Sequence, residues 1–301
     1  MMDYHQPVLL KECINGLNIK KGGIYVDATF GGGGHSRAIL EKIGKGKLLV
    51  FDQDSDARAN IPDDKRLIFV QHNFRFLRNF LRYYDIHGVD GILADLGVSS
   101  YQFDSEERGF SYRFKGALDM RMNKEANLTA ATIINTYPQE ELARIFKYYG
   151  EIKDSYRIAQ TIINHRQKNK ISSVEDLLSV IKKHIPLHKE YSFLSIIFQA
   201  LRIEVNEEIE SLKEFIIQAD ESLNEFGRLV VISYHSLEDR LVKNYIRSGN
   251  FENTITKDIY GNYSTPLKAV NRKVIVPDDD EIKQNSRARS AKLRIAEKIK
   301  E

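Results

Sequence analysis

Three aspartates in the first third of the chain each close an apolar run: Asp27 after Ile24-Tyr25-Val26, Asp52 after Leu48-Leu49-Val50-Phe51, and Asp95 after Gly91-Ile92-Leu93-Ala94. The first is followed by Gly31-Gly32-Gly33-Gly34-His35-Ser36 and then by Arg37 to Ile43, which reads as helix. Glycines let a backbone approach a ligand closely, and the N–H groups at the start of a helix favour electron-rich atoms. The chemistry such a strand, loop and helix offers is the holding of a nucleotide-like cofactor. The alternative, a tight turn with no ligand, leaves the conformational entropy lost by four consecutive glycines unexplained.

The spacing separates two kinds of cofactor. A dinucleotide fingerprint needs Gly-x-Gly-x-x-Gly. Counting from Gly31 and Gly33 the last position is Ser36, and counting from Gly32 and Gly34 it is Arg37, so both registers fail. Asp27, Gly31 and Gly33 instead resemble the first motif of S-adenosylmethionine-dependent methyltransferases. Such a carboxylate suits the cationic, amine-bearing end of that cofactor and would repel a pyrophosphate. Asp52, about twenty residues past the first glycine, suits ribose hydroxyls at the end of a second strand. Phe74, just beyond the strand candidate Leu67–Val70, either stacks on an adenine or is an ordinary core residue. Asp95 is the leading candidate to contact the reacting groups, against a role as a helix cap. His235, in the polar cluster Tyr234 to Arg240, either contacts substrate or caps a helix that begins near Ser236.

These side chains need a sheet to position them. Strands are read at 24–26, 47–51, 67–70 and 91–95, with helix over Pro7–Leu17 and after the glycine loop, and with Asp54 and Asp56 as solvated caps of the next helix. About 130 residues then pass before the next clear strand, Arg228–Ser233. That interval is largely helical, at Glu140–Tyr149, Tyr156–Asn164 and Val174–His184, the last opened by a capping box at Ser172–Glu175. The expected organisation is an α/β, Rossmann-like methyltransferase sheet in two parts, 1–102 and 203–301, around an inserted helical substrate-recognition domain, 103–202. A helix from about Glu204 to Asn224, with Ile209, Leu212, Phe215, Ile216 and Leu223 on one face, returns the chain to the sheet. His165, His184 and His188 lack compact ligand spacing, so no metal is assigned.

The chain has 301 residues, 42% of them hydrophobic and 29% charged, with a net charge of only +3. Bulk charge does not announce a nucleic-acid binder, so local clustering has to decide. Residues 282–301 hold seven basic and two acidic side chains, and Arg287, Arg289, Lys292 and Arg294 suit phosphate contacts, with a solvated helix face as the alternative. The single cysteine, Cys13, lies among apolar neighbours and fits a reducing cytosol. Residues 1–6 lack the pattern of a signal segment, and no apolar run approaches the ~18 residues of a membrane span, so a soluble cytoplasmic protein is expected.

Seven segments, in order, resemble the bacterial RsmH (MraW) family of small-subunit rRNA cytosine-N4 methyltransferases: Asp27–Ser36, Ala94–Ser100, Arg108–Tyr112, Leu118–Met122, Phe198–Asn206, Ile232–Arg240 and Arg287–Arg294. The resemblance runs over nearly the whole chain. Tyr101 departs from it, standing where the family often has proline, as does the apolar Ser192–Ile197. The resemblance implies S-adenosylmethionine contacts at Gly33, Gly34, His35, Asp52, Phe74, Asp95 and Gln102. It implies methylation of a cytidine in the decoding region of 16S rRNA within the small ribosomal subunit. In that reaction Asp95 would accept a hydrogen bond from the cytosine amine, assisted by His235 or a backbone carbonyl. A homodimer is left open. The rivals are a nicotinamide-dependent dehydrogenase, against which the glycine spacing argues, and a non-catalytic RNA-binding assembly factor, which would need no glycine loop.

Overall fold

The computed structural model describes residues 7–300 apart from 256, 258, 259, 261, 262 and 264. The opening hexapeptide, on which the absence of a signal segment was read, lies outside the described residues. Two compact units emerge, one from the chain up to Gly97 together with Ile209 onward, the other Val98–Glu208. The division was expected at 102/103 and 202/203.

The first unit is built on a seven-stranded sheet: β1 Ile24–Asp27, β2 Lys47–Phe51, β3 Leu67–Val70, β4 Val89–Asp95, β5 Leu223–Ser233, β6 Leu267–Ala269 and β7 Lys292–Lys298. Its order is β3-β2-β1-β4-β5-β7-β6. The strands from β3 to β5 are parallel, while β7 runs antiparallel to both β5 and β6. Side chains alternate between two buried faces, as strand geometry requires. Tyr25, Leu48, Val50, Leu93, Val230 and Ile232 enter one core with α1 (Leu10–Leu17) and α2 (Gly34–Lys42). Val26, Leu49, Phe51, Ile92, Leu229 and Val231 enter the other, with α3 (Leu77–Tyr83).

The second unit has its own helical core. Its helices are α4 Ser100–Asp104, α5 Ala130–Thr136, α6 Gln139–Tyr148, α7 Ser155–Arg166, α8 Val174–Ile181 and α9 Glu190–Val205. α8 is opened by a capping box between Ser173 and Asp176, one residue later than the expected Ser172–Glu175 pair. Asn206 ends α9. Its amide accepts from Met122 N at 2.7 Å and donates to Met120 O at 2.8 Å, so two of the segments singled out in the sequence lock together. After Glu207, held at φ +49°, α10 (Glu208–Ser222) begins, so the single helix expected from 204 is two. α11 (Ser236–Ser248) and α12 (Asp279–Gln284) complete the α-helices among the described residues.

The C-terminal basic segment differs most from expectation. Arg287 and Arg289 lie in a 3-10 turn, Ser286–Ser290, and Lys292 and Arg294 in strand β7, which is hydrogen-bonded on both sides with Leu293 and Ile295 buried.

Candidate active site

The parallel strands bring Asp27, Asp52, Asp95 and Tyr234 to one edge, since each lies at the carboxyl end of its strand or just beyond it. Ligands bind at that edge in sheets of this kind. Register fixes the arrangement: Asp27 stands opposite Leu93 on β4, and Asp95 opposite Ile232 on β5.

Asp27 faces inward. It is 1% exposed, and its oxygens accept from Thr29 N at 3.1 Å and from the Ser36 hydroxyl at 2.6 Å. Burial raises its carboxyl pKa, and the Ser36 hydrogen bond opposes that rise. It braces the loop between β1 and α2 from its buried side.

The four glycines divide into two pairs. A Cβ on Gly33 would come within 2.9 Å of the Phe30 ring, and one on Gly34 within 2.2 Å of Pro7 Cγ, so protein packing itself demands these two. Gly32 has nothing within 4 Å of a would-be Cβ, and Gly31 only Thr29 O at 4.0 Å. Gly31 and Gly33 hold φ of +51° and +74°, the left-handed region that glycine enters without strain. An open stretch of backbone at Gly31–Gly32, on a loop braced from below, fits the close approach of S-adenosylmethionine.

Asp52 joins that loop. Gly31 N donates to Oδ2 and Asp54 N to Oδ1, both at 2.8 Å. Burial pushes its carboxyl up to about 6, against the pull of those two N–H groups. Each oxygen keeps a further lone pair, which suits the two vicinal hydroxyls of a ribose. Asp54 is a cap as expected, but of a 3-10 turn at Ser55–Asn60, and it is buried where solvation was expected. Phe74 packs edge-on to Phe215, ring centroids 5.0 Å apart, and stays partly exposed.

Asp95 is held at three points. Its backbone N–H donates to Thr29 Oγ1 at 2.7 Å, Oδ1 accepts from the Tyr234 hydroxyl at 2.7 Å, and Oδ2 lies 3.9 Å from His35 Nδ1. Burial pushes this carboxyl too up to about 6, opposed by His35 and by the Tyr234 hydrogen bond. His35 Nε2 meets Val8 O at 3.0 Å, which puts a proton on Nε2 and turns Nδ1 toward Asp95. Tyr234, Thr29 and Ser36 escaped the sequence reading. Only the spacing of Thr29 and Ser36 from Asp27 hinted at them.

His235 is a helix cap. Its Nδ1 accepts from Glu238 N at 3.4 Å, its Nε2 lies 3.0 Å from Glu238 Oε1, and Glu238 accepts in return from the N–H groups of Tyr234 and His235. Both ring nitrogens face Glu238, so His235 anchors the start of α11, the cap that was one of its two expected roles. Gln102 lies in the second unit, where its amide caps α4 through Ser99 N at 3.1 Å. Of the basic residues, Arg294 spans Asp239 and Lys292 lies 3.8 Å from it. Arg289 is exposed and Arg287 partly buried. Cys13 is buried as expected, and its thiol pKa is raised by that burial.

The chain is 58% identical over 296 residues to ribosomal RNA small subunit methyltransferase H of Bacteroides fragilis, covering 98% of this chain and 97% of that one. It is 57% identical to the protein of the same name from Bacteroides thetaiotaomicron, covering 99% and 98%. To that of Flavobacterium johnsoniae it is 54% identical, covering 99% of both. Residues 2–299 match the model of the MraW methylase family, and a match of that extent makes this chain a member of it, an S-adenosylmethionine-dependent methyltransferase.

Proposed function

We propose that the chain methylates N4 of a cytidine in the decoding region of 16S rRNA, acting in the cytoplasm on the small ribosomal subunit. The names of the relatives support the ribosomal substrate. The observation that carries the chemistry is Asp95, a carboxylate fixed at the end of β4 by Thr29 and Tyr234.

S-adenosylmethionine, when bound, supplies an electrophilic methyl group. Gly31–Gly32 and Asp52 would hold it. The exocyclic amine of cytosine is a poor nucleophile because its lone pair is delocalised into the ring. Asp95 accepts a hydrogen bond from that amine, which orients the lone pair and stabilises the positive charge that develops on nitrogen. The base has to leave its stack to reach a pocket at a strand edge. Residues 103–202 would grip the surrounding RNA, with Arg287 and Arg289 as phosphate contacts.

The test is incubation of the protein with labelled S-adenosylmethionine and unmodified small subunits, followed by mass analysis of the rRNA nucleosides. Label in N4-methylcytidine is expected, with a loss of about 10²-fold or more in Asp95→Asn that leaves cofactor affinity in place. Full transfer by that variant would remove Asp95 from the chemistry.

A further inference from the structure

We infer that Tyr234 is a positioning residue for methyl transfer, clamping one oxygen of Asp95 so that the other is presented to the acceptor amine. The inference rests on the function proposed above.

The phenol is itself held on three sides. Its backbone N–H donates to Glu238 Oε2 at 2.9 Å, and Glu238 is only 3% exposed. Its ring lies over the exit of β4, where a Cβ at Gly97 would come within 3.1 Å of Tyr234 Cδ2. Its hydroxyl donates to Asp95 Oδ1 at 2.7 Å. Since Thr29 Oγ1 fixes the backbone of Asp95, the carboxylate is tied at both ends, and Oδ2 points the same way in every turnover. A loose carboxylate would lose much of its value as an acceptor, because a misplacement of about 1 Å can cost about 10²-fold in rate.

The hydroxyl also bears on the protonation state of Asp95, after burial and His35. Asp95 is surrounded by His35 from α2, Asp27 from β1, Cys13 from α1, Glu238 from α11 and Tyr234 itself. Asp27 and Glu238 work against its ionisation, as burial does, while His35 and the phenol favour it. Removing the phenol hydroxyl takes away a hydrogen bond that only the charged form exploits fully, so the carboxyl would keep its proton to higher pH and be ionised in a smaller fraction of molecules near neutrality.

The experiment measures methyl transfer from saturating S-adenosylmethionine to unmodified small subunits as a function of pH, for wild type and Tyr234→Phe, with cofactor affinity measured by calorimetry. The acid limb of the variant is expected to move up by about one pH unit, and a loss of up to about 10²-fold is expected to persist on the alkaline side where Asp95 is ionised but unclamped, with the cofactor Kd unchanged. An unmoved limb, or full wild-type rate on the alkaline plateau, would overturn the inference. Should Tyr234→Phe not fold, 3-fluorotyrosine at position 234 keeps the shape while strengthening the donor, and the limb should then move down; an unmoved limb overturns the inference equally. If wild type transfers no methyl group to small subunits, the proposed function itself fails, a result distinct from an active wild type whose variants show no shift.

Discussion

The guanidinium of Arg294 reaches both oxygens of Asp239, at 2.7 and 3.1 Å, and ties β7 to the first turn of α11. Along the same strand Glu297 pairs with Arg228 at 2.7 Å and Lys298 with Asp220 at 2.8 Å. Lys292, Arg294 and Lys298 thus lean on carboxylates of neighbouring elements, while Arg289 is exposed. Both partners of the Arg294–Asp239 pair are mostly buried, so Arg294→Ala should lower the unfolding free energy by about 1–3 kcal/mol in a denaturant titration. Arg289→Ala, at an exposed position, should leave stability alone and reduce the salt dependence of small-subunit binding by about one phosphate contact. An Arg294→Ala protein of unchanged stability would contradict this division.

The two pairs of glycines should respond differently to alanine. Gly34→Ala drives a methyl into Pro7 and should cost about 1–3 kcal/mol of stability. Gly32→Ala enters open space, so the free protein should melt within about a degree of wild type, while S-adenosylmethionine binding weakens because the methyl stands where the cofactor approaches. Thermal unfolding and calorimetric titration of both variants separate the two effects. Normal cofactor affinity in Gly32→Ala would show that the ligand does not use that surface.

Asp52 should give stability and cofactor binding opposite pH trends. Its carboxyl titrates at about 6 in the folded protein, above the ~4 of an unfolded aspartate. Between those values the folded chain binds the extra proton, so this group's contribution favours folding more as pH falls from 6 toward 4, and opposes it above 6. Binding of ribose hydroxyls needs the ionised form, so cofactor affinity should fall as pH drops below about 6. Carboxylates held low elsewhere, such as Glu214 under its hydrogen bond from Arg75, slope the other way. The readout is therefore the difference between wild type and Asp52→Asn. A difference that stays flat with pH, in both melting and titration, would sink the assignment.

Asn206 closes the helical unit by bonding Met120 O and Met122 N, and Arg108 donates to the carbonyls of Arg121 and Met122 from the other side. Asn206→Ala leaves the Met122 N–H and Met120 carbonyl without that partner. It should lower the stability of residues 98–208 by about 1–3 kcal/mol, read as faster amide exchange at Met122 and along α9. Exchange at wild-type rates would mean that the bridge adds nothing.

What could be read in advance followed the range of the physics. The ends of β1, β2 and β4 were visible because an aspartate closing an apolar run is a local signal, and the alternation of the buried side chains bears it out. The hydrogen bond from Ser36 to Asp27 was not visible, since it depends on how the glycine loop folds back to bring the first turn of α2 to the end of β1. In Ser172-Ser173-Val174-Glu175-Asp176 two cap registers compete, and the one that buries Val174, Leu177, Val180 and Ile181 prevails. In Arg287 to Arg294 the charges mask the apolar alternation. Leu293 and Ile295, two apart, carried the strand signal. The role of Tyr234 has no local signal, as it lies in a strand pairing that brings Ile232 level with Asp95.

β4 and β5 are neighbours in the sheet, although residues 98–208 separate them along the chain. A floppy segment of that length would make their meeting slow, because loop-closure entropy has to be overcome before the pairing is rewarded. The helical unit, with a core of its own, offers a way round this delay. Once collapsed, a chain of about 100 residues shrinks from a radius of gyration of roughly 30 Å to roughly 13 Å. Collapse of the helices ahead of the sheet would lower the entropy cost of closing β5 onto β4, the pairing that brings Tyr234 to Asp95.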